Sequence, residues 1–378
     1  MNIRDQFLLD PTVTYLNHGS FGACPKPVFQ AYQDWQLQLE RQPVDFLGRR
    51  ARGLIAESRV ALAEYVGCAA DDLVYFPNPT TAINMVARSM ELEPGDEILT
   101  TDHEYGAVDR TWRFICARRG AHYVRRPIPL PIQEGEAFSE HFWSGVNENT
   151  RVIFFSHITS PTALRFPVAE ICARAREAGI MTIVDGAHAP GQIPLNLAEL
   201  DVDIYAGACH KWLCAPKGAS FLYARRQVKD NLEPLVVSWG WEAEEPGTSR
   251  FIDYHEWQGT RDIAAFLSVP AAIDFQRQYH WDQVRLRCTE LAAETSDRLR
   301  KIFRTAPLSS AQDWTLQMAA VELPEPNDTL QQRLLEEYKI EVLVQRWQKR
   351  SFMRFSFQGY NDLADADTLV DSIRTLYP

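Results

Sequence analysis

The stretches IMTIVDGAH (residues 180–188) and DIYAGACHKW (residues 203–212) set the expected architecture of this 378-residue chain. Each begins with a short apolar run that is typical of a buried strand. Polar residues follow each run: Asp185 and His188 in the first stretch, His210 and Lys211 in the second. Open α/β sheets bind their ligands at the carboxyl ends of the strands. The two stretches are therefore expected to bring Asp185 and Lys211 to one site.

The first two-thirds of the chain repeat this alternation of apolar strands and amphipathic helices. Strands are predicted at residues 72–76, 97–101, 151–156, 180–184, 203–206 and 219–224. Helices are predicted at residues 80–90, 108–119 and 168–178. The pattern predicts an α/β fold whose mostly parallel sheet is covered by helices on both faces.

The pattern changes after about residue 265. A long helix is predicted at about 270–303, followed by a helix at 329–338, strands at 340–347 and 352–357, and a closing helix at 365–377. Fewer and partly antiparallel strands indicate a smaller α+β domain. We therefore expect a large domain over residues 15–260 and a small domain formed by residues 1–14 and 261–378.

Composition excludes several classes of protein. A formal charge of −11 argues against a nucleic-acid partner, because phosphate backbones require a basic face. The seven cysteines are scattered and contain no CxxC pair, which favours free thiols in a reducing cytoplasm and no metal site. The first residues, MNIRDQFLLDPT, do not resemble a signal peptide, and no apolar stretch is long enough for a membrane span. A cytoplasmic protein without nucleic-acid or membrane partners is expected.

Lys211 and Asp185 have a chemistry that goes beyond packing. An apolar and cationic setting lowers the pKa of a lysine amine and suits it to forming an imine. An aspartate that faces a pyridine nitrogen keeps that nitrogen protonated, so that the ring accepts electrons.

Thr80 and Thr81, in NPTTAIN (residues 78–84), open a helix and offer an anion site. Taken singly, Asp185 is interpreted as a helix cap, and the two threonines are interpreted as a helix N-cap that binds no ligand. The chain has no glycine-rich loop for a dinucleotide or a nucleoside triphosphate.

In combination, these motifs resemble the fold-type I enzymes of the aminotransferase class V group, which depend on pyridoxal phosphate (PLP). The likeness is to the isopenicillin N epimerase-like branch, with cysteine desulfurases as relatives, and it extends from YLNHGSFG (residues 15–22) to RFSFQGYN (residues 354–361). The resemblance implies the aspartate aminotransferase-like fold, with Lys211 as the Schiff-base residue and Asp185 paired with the pyridinium. It also implies that His188 contacts the phenolic oxygen of the cofactor and that Thr80, Thr81 and His210 hold its phosphate.

Further cofactor contacts follow from the same resemblance. Gly259 and Thr260, in QGTRD, match a pair that reaches the phosphate of the partner subunit, which implies an obligate homodimer with shared active sites. From DHEYGAVDRTW, Tyr105 is favoured over His103 as the ring that stacks on the cofactor. Ser160 is near a position whose side chain faces the ring oxygen. Ala208 departs from the family pattern, which places a polar residue three positions before the lysine. Thr260 or water would have to replace that phosphate ligand.

The family position that grips the α-carboxylate of the substrate matches Arg354, on the predicted strand FMRFSF. A guanidinium group binds a carboxylate through two parallel hydrogen bonds. Asn17 and His18, in LNHGSFG, are expected to form the opposite wall of the pocket. Arg261 is a second candidate clamp, although its segment can belong to the site of the partner.

Several reactions at Cα remain open, because the protein selects the bond that breaks. Persulfide chemistry is disfavoured, since no cysteine lies between Tyr338 and Arg354. The overall likeness favours an amino-acid epimerase or racemase, in which Lys211 moves one proton and either Tyr105 or His188 moves the other. The alternatives are carbon–sulfur β-elimination, as in a cysteine desulfhydrase, and transamination. A PLP-binding regulator is disfavoured, because no DNA-binding module is attached.

Overall fold

A seven-stranded, mostly parallel sheet forms the centre of the molecule in a computed structural model that describes residues 3–132, 135–310 and 314–378. The strands are β1 Thr14–Tyr15, β2 Leu73–Phe76, β3 Glu97–Thr101, β4 His122–Arg126, β5 Thr150–Ser156, β6 Met181–Gly186, β7 Ile204–Ala208, β8 Ser220–Ala224, β9 Met318–Glu322, β10 Ile340–Glu341, β11 Leu343–Trp347 and β12 Arg350–Ser356. The large sheet has the order β2-β8-β7-β6-β5-β3-β4, and only β8 runs antiparallel to its neighbours. The predicted mostly parallel sheet is confirmed.

Sixteen α-helices accompany the strands in the described part of the chain. They are α1 His18–Phe21, α2 Lys26–Arg41, α3 Pro43–Asp45, α4 Ala51–Val66, α5 Pro79–Ser89, α6 Gly106–Arg119, α7 Gly135–Trp143, α8 Val168–Glu177, α9 Leu197–Leu200, α10 Arg226–Lys229, α11 Arg250–His255, α12 Ala264–Leu267, α13 Val269–Gln278, α14 Trp281–Phe303, α15 Leu330–Tyr338 and α16 Leu363–Leu376. Single helical turns add Ile3–Gln6, Phe46–Arg50 and Ala70–Asp72. Within the described residues, none of these helices is long and apolar enough to cross a membrane.

The apolar runs of the central strands are buried on both faces of the sheet. Neighbouring residues on a strand point to opposite faces, and Phe154 and Phe155 of β5 accordingly belong to two different core clusters. Helices α5 and α6 contribute to the cluster around Phe154, whereas α4, α8 and α13 contribute to the cluster around Phe155. This double cover explains why the strands read as nearly continuous apolar segments in the sequence.

Strand pairing determines which polar residues meet. Strand β6 lies between β5 and β7, and Asp185 pairs with Ser156 on one side and with Ala206 on the other. Lys211 follows the end of β7, so it reaches the same edge of the sheet as Asp185. The expectation that Asp185 and Lys211 meet at the carboxyl ends of neighbouring strands is therefore confirmed.

A second, smaller sheet is formed by residues near the C-terminus. Its three strands are antiparallel in the order β11-β12-β9, and α14 packs against β9 and α16. Strand β1 pairs in parallel with β10, which brings Tyr15 against Glu341. The boundaries at residues 15 and 260 stay predictions, and residues 1 and 2 of the predicted small domain lie outside the described residues.

Two sequence predictions of elements need correction, and the edge strand β4 was missed. The helix predicted at 270–303 is two helices, α13 and α14, because His280 between them adopts a left-handed conformation with φ 49°. The strand predicted at 340–347 is divided at Val342, so that β10 pairs with β1 and β11 pairs with β12. Strand β4 was not predicted, because it is a half-exposed edge strand, HYVRR, without an apolar run.

Candidate active site

A cavity of about 200 Å³ opens at the carboxyl ends of β5 and β6, beside the N-terminus of α5. It brings together residues that are far apart in the sequence. Seven of the predicted site residues line it: Thr80, Tyr105, Ser160, Asp185, His188, His210 and Lys211. Four further polar or aromatic lining residues were not predicted: Ser20, Phe21, Asn78 and Ser156.

Lys211 presents an amine of lowered basicity to this cavity. Its Nζ lies 3.3 Å from Nε2 of His188. Burial lowers the pKa of Lys211 to about 8, and the positive charge of Arg354 acts in the same direction, while Asp185 opposes both. A substantial share of the amine is therefore unprotonated near neutral pH, as attack on a carbonyl carbon requires.

Asp185 is a buried carboxylate with unused hydrogen-bonding capacity. Its Oδ1 accepts a hydrogen bond from the amide of Ala187 at 3.0 Å, and among the described residues the side chain has no other hydrogen-bond donor. Burial raises the pKa of Asp185, whereas the Ala187 amide and Lys211 lower it. A buried carboxylate with a free oxygen is stabilised by a further N–H donor, which a protonated ring nitrogen provides.

The N-terminus of helix α5 makes part of the cavity suitable for an anion. The helix is capped by Asn78, whose Oδ1 accepts hydrogen bonds from the amide of Thr81 at 2.8 Å and from its hydroxyl at 3.0 Å. The Thr81 hydroxyl is thus used in the cap, while Thr80 lines the cavity. His210 donates from Nδ1 to the carbonyl of Ala219 at 3.0 Å. Nε2 of the neutral ring therefore carries a lone pair, and it becomes a donor to an anion only when the ring is protonated. Burial lowers the pKa of His210 to about 4.

Arg354 lies on the central strand of the small sheet, and its guanidinium is buried. Nη1 donates to the carbonyl of Ser160 at 2.7 Å and to its hydroxyl at 3.1 Å, and Nη2 donates to the hydroxyl of Ser20 at 3.0 Å. Across the three described ranges of the chain, no carboxylate forms an ion pair with it. Burial lowers its pKa to about 10. A buried cation with only neutral partners suits an anionic ligand.

His188 is buried between Lys211 and Trp212. Its Nδ1 accepts a hydrogen bond from the indole N–H of Trp212 at 3.3 Å. Burial lowers the pKa of His188 well below its usual value, and the positive charges of Lys211 and Arg354 add to this effect. The imidazole is therefore neutral at physiological pH.

The two predicted residues of the N-terminal segment do not line the cavity. Asn17 accepts a hydrogen bond from Ser20 at 2.6 Å and donates one to Glu341 at 3.3 Å. His18 is fully buried, and its Nε2 donates to the carbonyl of Lys211 at 3.0 Å. The wall that they were expected to form is provided by Ser20 and Phe21 instead.

The segment of Gly259, Thr260 and Arg261 also lies outside the lining of this cavity. Thr260 is exposed, and Gly259 has φ 112°, a conformation that favours glycine. The guanidinium of Arg261 packs over the ring of Phe266 at 4.7 Å, and its Nη2 is buried without a hydrogen-bond partner in the described part of the chain.

Glu104 is a buried acid near the cavity that the sequence reasoning missed. It accepts short hydrogen bonds from the hydroxyls of Thr101 at 2.5 Å and Ser156 at 2.6 Å. Burial raises the pKa of Glu104 to about 8, and the negative charge of Asp185 contributes to the rise. An acidic residue directly before Tyr105, just after a buried strand, was the available signal.

The donors of the cavity suit pyridoxal phosphate. An anion-binding helix start stands at one end, and Asp185, with its unused oxygen, supplies a carboxylate for a ring nitrogen. Lys211, an amine of lowered pKa, lies in the same cavity. The groups present therefore match the aldehyde, the phosphate and the pyridine nitrogen of the cofactor.

Comparison with known proteins gives consistent results. The model of the family "Aminotransferase class-V" matches residues 15–369. The chain is 36% identical to isopenicillin N epimerase of Amycolatopsis lactamdurans, over 99% of this chain and 98% of that protein. It is 28% identical to a probable chloroplastic L-cysteine desulfhydrase of Arabidopsis thaliana, over 97% and 83% of the two chains.

A solved structure supports the fold. The apo cysteine desulfurase of Thermococcus onnurineus superposes with a TM-score of 0.86 at 20% identity, over 99% of this chain and 97% of that one. The resemblance inferred from the motifs and the predicted fold class are both confirmed. The chain therefore belongs to the aminotransferase class-V family, and it is a pyridoxal-phosphate-dependent enzyme.

Proposed function

We propose that this enzyme removes and returns the proton at Cα of an amino acid, as an epimerase or racemase. The observation that carries the proposal is the arrangement of two groups. Lys211 lines the cavity with an amine able to take a proton. Arg354, a buried guanidinium without a carboxylate partner among the described residues, is bonded to the lining residues Ser20 and Ser160. The similarity to isopenicillin N epimerase over nearly the whole chain supports this reaction above the alternatives.

The roles of the cavity residues follow from their chemistry. Bound pyridoxal phosphate supplies an aldehyde that condenses with amines and a ring that stabilises negative charge at Cα. We assign Lys211 as its covalent anchor and Asp185 as the partner of its ring nitrogen. The other assigned contacts are Thr80 and His210 for the phosphate, His188 and Ser160 for the phenolic oxygen, and Tyr105 for the ring face. Thr81 is left out of this assignment, because its amide and its hydroxyl both donate to Asn78.

The substrate is oriented by its α-carboxylate. Arg354 binds the carboxylate through its two terminal nitrogens, held in place by Ser20 and Ser160. The Cα proton then lies within reach of Lys211, which removes it on one face. Inversion requires a second group on the opposite face, and Tyr105 at the cavity lining is the candidate, with His188 as the alternative.

A second candidate function is carbon–sulfur β-elimination from a cysteine derivative. It is supported by the similarity to the chloroplastic L-cysteine desulfhydrase, and it requires only that Lys211 act as the base. Transamination is a third possibility and needs Lys211 as a proton shuttle.

One experiment separates these reactions. The purified enzyme, loaded with pyridoxal phosphate, is incubated with a panel of amino acids in deuterated water. Exchange at Cα with inversion identifies an epimerase; pyruvate, ammonia and a thiol identify a lyase; amino transfer that depends on a keto acid identifies an aminotransferase. Exchange with full retention of configuration and no other product would contradict the epimerase proposal.

We also propose a homodimer with shared active sites, in which Gly259 and Thr260 reach the phosphate of the neighbouring site and Arg261 serves there as a second clamp. The exposed aromatic residues Trp239 and Trp241 support a further buried surface in this region. Mixing inactive Lys211→Ala and Thr260→Ala protomers would restore activity if sites are shared, because one site of the mixed dimer is intact. The location that we propose is the cytoplasm, and the free state of all seven cysteines supports it.

A further inference from the structure

Trp212 and His188 form a hydrogen-bonded pair behind the amine of Lys211. The indole of Trp212 is fully buried, and its Nε1 lies 3.3 Å from Nδ1 of His188. The other ring nitrogen of His188, Nε2, lies 3.3 Å from Nζ of Lys211. An indole N–H can only donate a hydrogen bond. Nδ1 of His188 must therefore be the acceptor, and a neutral ring carries its proton on Nε2.

The surroundings of His188 keep its ring neutral. The charged or titratable groups that face it are the cations Lys211 and Arg354 and the imidazole of His210. No carboxylate of the described residues accepts a hydrogen bond from either ring nitrogen. Protonation would add a positive charge beside two others in a buried site, and it would also break the hydrogen bond from Trp212.

Further contacts hold the backbones of both residues and the indole of Trp212. The carbonyl of Trp212 accepts a hydrogen bond from Gln276 at 2.8 Å, and the indole packs against the ring of His18 with the centroids 5.1 Å apart. The carbonyl of His188 accepts a hydrogen bond from Gln192 at 2.8 Å. These contacts, together with the burial of both side chains, favour the geometry of the Trp212–His188 hydrogen bond.

We propose that Trp212 is a positioning residue that fixes the tautomer of His188, so that His188 offers an N–H donor to the reacting groups and no lone pair. This inference rests on the proposed function and sharpens it. A neutral imidazole whose only lone pair is engaged by Trp212 cannot accept the Cα proton. His188 therefore serves as a hydrogen-bond donor to an oxygen of the bound cofactor, and Tyr105 is left as the second proton carrier.

The test reads the tautomer directly. The protein is labelled with ¹⁵N-histidine, and the His188 signals are assigned by their loss in His188→Gln. In the wild type the proton is expected on Nε2 above about pH 8, where the Lys211 amine is neutral and can accept a hydrogen bond from it. Trp212→Phe keeps an aromatic ring but removes the donor, and it should raise the share of the Nδ1–H form about fivefold, as expected for one ordinary hydrogen bond. A wild-type proton on Nδ1, or no change in Trp212→Phe, would overturn the proposal.

Trp112→Phe is the matched control. Trp112 is also fully buried, and its indole N–H has no hydrogen-bond partner among the described residues. The same substitution there should leave the His188 signals unchanged. If Trp212→Phe does not fold, replacing Trp212 with benzothienylalanine removes the N–H while keeping the shape of the ring.

A second readout uses the enzyme loaded with cofactor. Trp212→Phe should shift the pH midpoint of the visible absorbance band of bound pyridoxal phosphate, and the shift should vanish in a His188→Gln background. An equal shift in both backgrounds would mean that Trp212 acts through packing alone, and it would overturn the proposal. A protein that stays colourless after incubation with the cofactor would refute the proposed function instead. The nitrogen signals of the ligand-free protein would still decide the tautomer.

Discussion

Replacing Arg354 with methionine should damage substrate binding far more than folding. The guanidinium is expected to hold the substrate carboxylate through charge-assisted hydrogen bonds in a buried site. Truncating one partner of such a pair costs about 2–4 kcal/mol. At about 1.4 kcal/mol per factor of ten, kcat/KM should fall roughly 30- to 700-fold. The loss should appear mainly in KM, because the carboxylate is held equally in the ground state and the transition state.

The effect on stability should be small, because two opposing contributions accompany the substitution. Methionine leaves the carbonyl of Ser160 without the donor that Arg354 provides, a cost of about 1–3 kcal/mol. It also removes a buried cation that has no carboxylate partner among the described residues, which relieves a desolvation cost of a few kcal/mol. The melting temperature should therefore stay within about 3 °C of the wild type.

The assay measures deuterium exchange at Cα for an amino acid and, in parallel, for the amine that lacks the carboxylate. Wild type should strongly prefer the amino acid, and Arg354→Met should lose that preference. Arg350→Met is the control, since Arg350 lies on the same strand but pairs with Glu322, whereas Arg354 donates to Ser20 and Ser160, which line the cavity. A folded Arg354→Met enzyme with an unchanged preference for the amino acid would refute the assigned role.

Three further predictions concern the other charged groups of the site. Incubation with pyridoxal phosphate should give a visible band that borohydride bleaches and that Lys211→Ala abolishes; since the pKa of Lys211 is about 8, the rate of cofactor uptake should rise with pH and level off above that value. Asp185→Asn should weaken cofactor retention by roughly 10- to 100-fold, because a hydrogen bond to a charged group contributes about 1.5–3 kcal/mol. Equilibrium dialysis measures this retention, and an unchanged value would contradict the assigned contact with the ring nitrogen. For Glu104 the folded-state pKa of about 8 lies above the ordinary value of 4.5, so its contribution to stability is complete below pH 4.5 and is lost as the pH rises through 8. Melting curves of Glu104→Gln should therefore decline less between pH 6 and pH 9 than those of the wild type, and parallel declines would contradict the raised pKa.

The cofactor-binding edge of the sheet was predictable from the sequence because its signals are local. Apolar runs predict strands wherever both faces of a sheet are covered, and the strand predicted at 97–101 matches β3 residue for residue. Open α/β sheets bind ligands at the carboxyl ends of their strands, so Asp185 and Lys211 could be expected at one edge before any coordinates. The helix start at Thr80 needed only a capping residue and a preceding strand.

Hydrogen-bond partners inside the site could not be predicted in this way. His18 and His188 look alike in sequence, yet one lies beneath the backbone of Lys211 and the other beside its amine. The hydroxyl of Thr81 donates a hydrogen bond to Asn78, and this contact depends on the side-chain rotamers within one helical turn. The burial of Glu104 depends on Ser156, a residue from a different strand.

The sequence of this protein was sufficient for the α/β architecture, for the family and for the expectation that Lys211 and Asp185 meet at one edge of the sheet, because each depends on patterns of a few neighbouring residues. Tertiary packing was needed to bring Arg354 from the small sheet against Ser20 and Ser160, to break the helix at His280 and to place Trp212 beside His188. These features depend on contacts between residues that are remote along the chain, and the energy of such contacts has no local signature.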